Sequence, residues 1–375
     1  MSDPKANKKM VPGIRFTGFT DDWEQRKFDS FASRNMKTRE STLNVEYEDV
    51  VSGAGKLVPD YELKRKDSKR GIAFFSGNVL FGKLRPYLKN WLLADFSGVA
   101  VGDWWVLSTK DISSSFLYSL VQSDKYQTTA NQTSGTKMPR SDWKTVSQEV
   151  FSIPSYDESE VIGKMILNAD QLITLHRRKL DELNDYKKLL LQKLFPKNGE
   201  QNPEWRFAGF ADDWEQRKLG EILNVKKSKE YITESEISGK YKVIQQGDNP
   251  VAGYSDKEPF TDYNDVVLFG DHTVSIYQPK HPFLLATDGV KVLEALNLSG
   301  NFLYALLEKN RPEQQGYKRH FSILKGVSGI YPQKKEESVE IGNLFDMLNQ
   351  TITLHQRKLE KLELLKKAML QKMFI

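Results

Sequence analysis

Between residues 158 and 195 the seam positions fall at steps alternating four and three: Ile162, Ile166, Ala169, Ile173, His176, Leu180, Leu183, Lys187, Leu190 and Leu194. The same steps run through Ile341, Phe345, Leu348, Ile352, His355, Leu359, Leu362, Lys366, Met369 and Met373. A heptad seam held for over four heptads belongs to a long helix that pairs with another helix along its length. No Pro interrupts residues 155–195 or 333–375, and Gly163 and Gly342 lie near the start of each run. Two unbroken helices of roughly 35 residues, about 50 Å each, are therefore expected. Ordinary globular helices average only about 11 to 12 residues, which argues against simple core helices. Beside the first seam runs a second apolar line, Met165, Leu172, Leu175, Tyr186 and Leu189. Two adjacent stripes exceed what one coiled-coil partner covers, so the helices should pack on each other and also offer a surface to another protein.

The seams mark a chain built twice. Ile-Thr-Leu-His-Arg-Arg-Lys-Leu at residues 173–180 returns as Ile-Thr-Leu-His-Gln-Arg-Lys-Leu at 352–359, and Arg-Phe-Thr-Gly-Phe-Thr-Asp-Asp-Trp-Glu at 15–24 returns as Arg-Phe-Ala-Gly-Phe-Ala-Asp-Asp-Trp-Glu at 206–215. The offset between copies shrinks at intervals. It is 191 from Arg15 to Arg206, 188 from Val79-Leu80-Phe81-Gly82 to Val267-Leu268-Phe269-Gly270, 186 from Phe116-Leu117-Tyr118 to Phe302-Leu303-Tyr304, and 179 at the helices. Stepwise shrinkage is the signature of insertions confined to loops of two domains sharing one fold. Within the diverged middles, apolar runs at 79–81, 99–107 and 266–269 predict strands, and 116–122 and 302–308 predict short helices. Breaker-rich loops at 131–140 and 278–282 separate them. Asp157, with Glu160 three residues on, is placed to cap the first long helix.

The expected organisation is thus a disordered lead-in at 1–12, a first globular domain at 13–157, a long helix at 158–195, a polar linker at 196–203, a second globular domain at 204–336 and a second helix at 337–375. The fold class expected is α+β: two similar globular mixed α/β domains separated by two long helices that pack on each other, with the internal repeat running through both. His176 and His355 sit near the midpoints of the two helices.

Composition narrows the function. A length of 375 residues gives room for two or three domains with cores of their own. The absence of Cys excludes disulfides and thiolate metal sites and suits a reducing cytoplasm. Five scattered His, none at ligand spacing, argue against zinc. The polar N-terminus lacks the apolar run of a signal peptide, and the most apolar stretch, Trp91 to Leu107, is broken by Asp95 and Asp103. A cytoplasmic protein is expected. A net charge of +5 is slight, so any nucleic-acid face must be local. The long helices are nearly balanced, with seven basic against six acidic residues over 158–195 and six against five over 337–375, unlike a phosphate-binding element.

Catalytic signatures are missing. Pro59-Asp60-Tyr61-Glu62-Leu63-Lys64 crowds its acids and lysine too closely to place them on separate strands around a nuclease metal. Asp248-Asn249-Pro250-Val251 reads as a turn rather than a methyltransferase tetrapeptide. No phosphate-cradling Gly-x-x-x-x-Gly-Lys run is present. His176 and His355 at seam positions read as packed residues, and the seam lysines Lys187 and Lys366 as snorkelling ones.

The arrangement of two variable domains and two long helices, ending Leu190-Leu191-Gln192-Lys193-Leu194-Phe195 and Met369-Leu370-Gln371-Lys372-Met373-Phe374, resembles the specificity subunit of type I restriction-modification enzymes. The paired helices and paired opening motifs carry most of the likeness. Gly77-Asn78-Val79-Leu80-Phe81-Gly82-Lys83-Leu84-Arg85-Pro86-Tyr87-Leu88 and Ser134-Gly135-Thr136-Lys137-Met138-Pro139-Arg140 add to it.

The resemblance implies two target-recognition domains, each reading half of a bipartite site on double-stranded DNA. It implies helices that pair as an antiparallel coiled coil with internal pseudo-twofold symmetry, the dyad passing near His176 and His355 and the domains lying at opposite ends of a spacer about 50 Å long. It also implies that these helices set the spacer and bind two modification subunits and, through them, restriction subunits. S-adenosylmethionine, ATP and Mg would then belong to those partners, with no cofactor, metal or catalytic residue on this chain. Contacts to bases and phosphates need Arg, Lys, Asn, Gln or His on loops. The candidates are Lys83, Arg85, Lys89, Lys137, Arg140 and Lys144 in the first domain, and His272, Lys318, Arg319, His320 and Lys325 in the second. Met165, Leu172, Leu175, Tyr186 and Leu189 are the candidate partner surface, and Ile173, His176, Leu180, Ile352, His355 and Leu359 the helix seam. Because Gly270-Asp271-His272-Thr273 replaces the Lys-Leu-Arg-Pro segment, the two domains should read different half-sites. The alternative is a two-headed coiled-coil scaffold that binds only proteins, although equal helices bearing unequal heads speak for recognition. A self-sufficient enzyme has little support.

Overall fold

In a computed structural model of the protein, which describes residues 11–61, 67–132, 138–197, 199–316 and 318–374, the two heptad segments form the helices Tyr156–Lys193 and Lys335–Met373. Their seams behave as the pattern predicts. Ile162, Ile166, Ala169, Ile173, Leu190 and Leu194 of the first and Ile341, Phe345, Leu348, Met369 and Met373 of the second are buried. His176, Leu180, Ile352, His355 and Leu359, nearer mid-helix, are half-buried. Ser155, not Asp157, caps the first helix, its Oγ accepting from Glu158 N at 3.3 Å. Asp157 therefore lies inside the first turn, where its charge still favours the helix dipole. The lead-in up to residue 10 lies outside the described residues.

The chain divides into two units, one holding the chain up to Arg178 together with the segment from Gln356 onward, the other Lys179–His355. Each unit contains part of both long helices. In the first, the start of the first helix meets the end of the second, with Ile162 and Ile166 sharing a core with Met369, Met373 and Phe374. Asp170 pairs with Lys366 and Arg177 with Glu363. As the number rises along one helix it falls along the other, so these segments are antiparallel. In the second unit the end of the first helix meets the start of the second, and Leu190 and Leu194 share a core with Ile341, Phe345 and Leu348.

Both units use the same α+β plan. The first contains an antiparallel sheet ordered Ala32–Asn35, Trp104–Thr109, Val79–Gly82, Trp91–Leu93, and the second one ordered Leu223–Val225, Val290–Ala295, Val267–Gly270, Ile276–Tyr277. Side chains alternate between faces along a strand, and here both faces are covered. Val79, Phe81, Trp105 and Leu107 face the core that holds the long helices, while Leu80, Trp104 and Val106 face a second core under the sheet Thr38–Ser41, Lys69–Phe74, Gly98–Ala100, Asn44–Val45. Val267, Phe269 and Leu293 against Leu268 and Val292 repeat that division. Two-sided burial explains why these strands read as continuous apolar runs instead of alternating ones. The run expected at 99–107 is two strands broken at Gly102 and Asp103, where Gly102 adopts φ +100°.

The repeated opening motif fastens each unit to its long helix. Arg15 Nε and Nη2 donate to Glu158 Oε1 and Oε2 at 2.7 and 2.8 Å, and Trp23 Nε1 donates to Oε2 at 3.1 Å. Arg206 and Trp214 hold Glu337 likewise, at 2.7, 2.9 and 3.2 Å. Both carboxylates are buried at 1% exposure, a position that an ionised group tolerates only when fully paired. One residue on, Ser159 Oγ accepts from Ser113 N at 2.9 Å, and Ser338 Oγ from Ser299 N at 3.0 Å. Four residues further, a Cβ on Gly163 would lie 2.4 Å from Phe116 N, and one on Gly342 2.6 Å from Phe302 N. Only glycine lets the long helix approach the short helices Ser114–Leu120 and Gly300–Lys309 this closely.

Candidate nucleic-acid interface

In the first unit the strand Val79–Gly82 delivers the chain into a cation-bearing turn, Lys83 to Lys89, which pairs with the segment Pro139–Ser141. Arg85 N donates to Pro139 O at 2.7 Å, Ser141 N to Lys83 O at 2.8 Å, and Leu84 bridges Arg140. Lys83 and Arg140, 57 residues apart, are thereby brought to one carboxylate, with Arg140 Nη2 at 3.0 Å and Lys83 Nζ at 3.5 Å from Asp103. Tyr47 locks the corner, its OH donating to Asp103 O at 2.7 Å and accepting from Leu84 N at 2.9 Å. Burial drives the Tyr47 phenol well above its usual range. Burial works to raise Asp103 too, but Arg140 and Lys83 outweigh it and hold the carboxyl below its usual value.

The turn is strained and fixed. Arg85 (φ 48°) and Lys89 (φ 57°) flank the 3-10 turn Pro86–Leu88 in left-handed conformations, although neither is glycine. Each costs about 1–2 kcal/mol, and such outliers persist where surrounding bonds over-determine them. Arg85 is half-buried, and its Nε has no hydrogen-bond partner among the described residues. Lys89, Arg140 and Lys144 are exposed. Lys137 lies outside the described residues, as do Glu62 to Lys64 of the dismissed nuclease-like segment.

Equivalent backbone bonds in the second unit carry different chemistry. Asp271 stands in the place of Lys83, its N donating to Gly289 O at 2.8 Å where Lys83 N donates to Asp103 O at 2.9 Å. His320 stands in the place of Ser141, donating from N to Asp271 O at 2.8 Å. This corrects the expectation that His320 contacts DNA. Its side chain is fully buried, Nε2 accepts from Gln315 N at 2.8 Å and Nδ1 lies 3.1 Å from Asp271 O, a structural imidazole with both nitrogens used. Its neighbour Arg319, in the place of Arg140, is exposed, as are Lys318, whose Nζ donates to Gln315 Oε1 at 3.1 Å, and Lys325, which lies 5.4 Å over the Phe321 ring. His272 is half-buried, its N donating to Gln246 Oε1 at 3.0 Å.

On the first long helix Leu172, Leu175, Tyr186 and Leu189 are exposed by 44, 60, 48 and 37%, whereas Met165 packs partly against the first core. The second helix exposes Met347, Leu354, Leu364 and Leu365. The seam lysines do not snorkel. Lys187 reaches Glu308 at 2.6 Å, and Lys366 reaches both Asp170 and Gln122 Oε1, the latter at 2.7 Å. Among the described residues no group of three or more His, Asp or Glu is arranged to hold a metal ion, and no helix is long and apolar enough to cross a membrane.

Asp103 and Tyr47 were not legible as site residues, because nothing in the local sequence ties either to Lys83 or Arg140. A carboxyl depressed on folding stabilises the fold at and above its ordinary value near 3.8, and that contribution is lost as pH falls through the lower folded value. Asp103→Asn is therefore expected to reduce the steepness of the acid limb of the unfolding-versus-pH curve, the remaining slope coming from other carboxyls held low, such as Asp142, Glu204 and Asp212. An unchanged acid limb would show that the pair contributes nothing.

Fold and site together define a duplicated α+β protein in which one frame presents two different sets of loop cations. Residues 211–364 match the type I restriction modification DNA specificity domain. The chain is 29% identical over 110 residues to the MjaVIII type I restriction enzyme specificity subunit of Methanocaldococcus jannaschii, covering 28% of this chain and 26% of that one. It is 24% identical over 214 residues to the EcoDI type I restriction enzyme specificity subunit of Escherichia coli, covering 54% and 47%. These matches therefore span between about a quarter and a half of those relatives' lengths. The crystal structure of the type I restriction-modification S subunit from M. genitalium shares the fold, with a TM-score of 0.71 over 98% of this chain and 99% of that one at 16% identity. The resemblance to type I specificity subunits read from the sequence is thereby borne out, the match to the DNA specificity domain lying at residues 211–364 and the S-subunit structure sharing the fold.

Proposed function

We propose that the chain is the non-catalytic DNA-recognition subunit of a type I restriction-modification complex, each unit reading one half of a bipartite duplex target. The observation that carries this reading is the contrast at equivalent places. Lys83, Asp103 and Arg140 in the first unit answer to Asp271, Gly289 and Arg319 in the second, on backbone bonds of the same kind. The frame is kept constant while the side chains it carries change, from the ion-paired Lys83 and Asp103 to the buried Asp271 and Gly289, beside an exposed Arg in both units. That suits two different half-sites, and a scaffold that binds only proteins gives no reason for the difference. Residues 13–157 and 204–336 are the recognition domains in this reading, joined through the linker 196–203. The helices 158–195 and 337–375 set the spacer and bind two modification subunits, and restriction subunits through them. S-adenosylmethionine, ATP and Mg sit on those partners, and the assembly works in the cytoplasm.

Arg140→Ala is expected to weaken or alter recognition of one half-site, by about 1–3 kcal/mol if a bidentate base contact is lost. Arg319→Ala should affect only the other half-site. Selection from random duplexes, followed by binding to each half-site variant, reads this out. Equal weakening on every duplex with a shallower salt slope would make both residues phosphate contacts. Failure of the unmutated chain, alone and with modification subunits, to select any sequence would refute the function.

A further inference from the structure

Tyr87 and Leu88, at the tip of the cation-bearing turn, are 55 and 40% exposed, and Met138 on the paired segment is 53% exposed. Apolar side chains on a pliant loop would fold back onto the surface, but this tip is held from both sides. Leu88 N donates to Arg85 O at 2.8 Å, Lys89 N to Pro86 O at 2.9 Å, Gly53 N to Lys89 O at 2.9 Å, and Ser52 Oγ to Leu88 O. Arg85 N is tied to Pro139 O, so the two left-handed residues are clamped in place. Ordinary folding gives no reason to fix apolar groups outward at the expense of two strained residues, whereas ligand clamps commonly store such strain. The surrounding charge identifies the ligand. From Lys83 to Lys89 there are three cations and no acid, and Arg140 lies on the neighbouring segment, so these four outnumber the Asp103 carboxylate that Lys83 and Arg140 share. An apolar tip ringed by cations fits a polyanion whose interior is flat and apolar. Proteins that kink duplexes insert apolar side chains between base steps while Lys and Arg hold the adjacent phosphates.

We propose that Pro86–Leu88 is a wedge that enters the DNA groove at the half-site read by the first unit, with Tyr87 and Leu88 against a partly unstacked base step and Lys89 on a flanking phosphate. The proposal rests on the DNA-recognition reading above and assigns to that site an indirect, deformation-based component of specificity. It is confined to the first unit. At the equivalent place in the second, the chain turns directly through His272 to Ser275, and Val274, though also left-handed at φ 50°, is buried.

The test uses the full chain with its modification subunits and a duplex selected by that complex, with 2-aminopurine substituted in turn for each adenine of the protected sequence. The unmutated protein should raise the fluorescence at one step within one half-site. Tyr87→Ala combined with Leu88→Ala should abolish that rise and weaken binding on the order of tenfold to a hundredfold, with the salt slope unchanged. Tyr87→Phe should keep the rise. Lys89→Gly, which suits the left-handed backbone, should keep the rise but reduce the salt slope by about one. No rise with the unmutated protein, or a double variant that keeps both the rise and the affinity, overturns the wedge while leaving DNA recognition intact. A double variant whose unfolding midpoint falls makes the tip a structural element and also overturns it. A complex that selects no sequence removes the recognition reading and the wedge together.

Discussion

Replacing Leu172, Leu175 and Leu189 together by Asp is expected to abolish co-purification of the chain with a modification subunit while leaving it folded. All three side chains are exposed and stand beside the buried seam, so their loss removes nothing from the cores. Burying a fully exposed leucine contributes about 1.5–3 kcal/mol. With 44, 60 and 37% of these side chains left to cover, losing all three costs about 2–4 kcal/mol, or about thirtyfold to a thousandfold in affinity, before the carboxylates' own desolvation is added. A pull-down with tagged chain, alongside a thermal midpoint for the variant alone, separates lost binding from lost folding. Undiminished co-purification of the folded variant would show that the stripe is not the partner surface.

The second large effect concerns the anchors. Arg15→Ala leaves Glu158 buried beside Trp23 without its cation, and breaking a buried pair on one side costs about 3–5 kcal/mol. The guanidinium is partly exposed at 15%, so the lower end is expected. For a unit of this size, about 3 kcal/mol lowers the melting midpoint by about 6–12 °C. Arg206→Ala should do the same to the second unit through Glu337. Because Trp23 and Trp214 are buried reporters in separate units, the single variants should each shift one fluorescence transition. Adding Glu158→Gln to Arg15→Ala should recover part of the loss, since the buried charge goes with its partner. Single variants that melt like the unmutated chain would make the anchor energetically idle.

What the sequence disclosed follows from the range of the forces involved. The long helices were legible because a heptad seam is a local periodicity, and the duplication because both opening motifs must make the same bonds. That the motif clasps a glutamate was not legible, since Arg15 and Glu158 lie 143 positions apart and neither looks unusual alone. Lys187 and Lys366 read as snorkelling residues for the same reason: their acidic partners come from the short helices or the facing long helix. The candidate site was half legible. Loop cations could be named, but which were buried depended on tertiary pairing, so His320 passed as a contact when it is a core hydrogen-bonding group. The exposed Tyr87 and Leu88 went unnoticed, because an apolar pair beside a proline reads as ordinary packing until its surroundings are known.

The first unit is discontinuous, for its core is closed by Met369, Met373 and Phe374, and Gly13 N donates to Lys372 O at 2.9 Å. The second unit is one unbroken stretch, Lys179–His355. On a ribosome, where domains form in order of emergence, this inverts the usual sequence of events. The half of the protein made first must wait, with part of its apolar surface uncovered, until the last helical turns leave the exit tunnel, by which time the half made second has everything it needs to close. Chaperone dependence and sensitivity to premature termination should therefore fall on the N-terminal half.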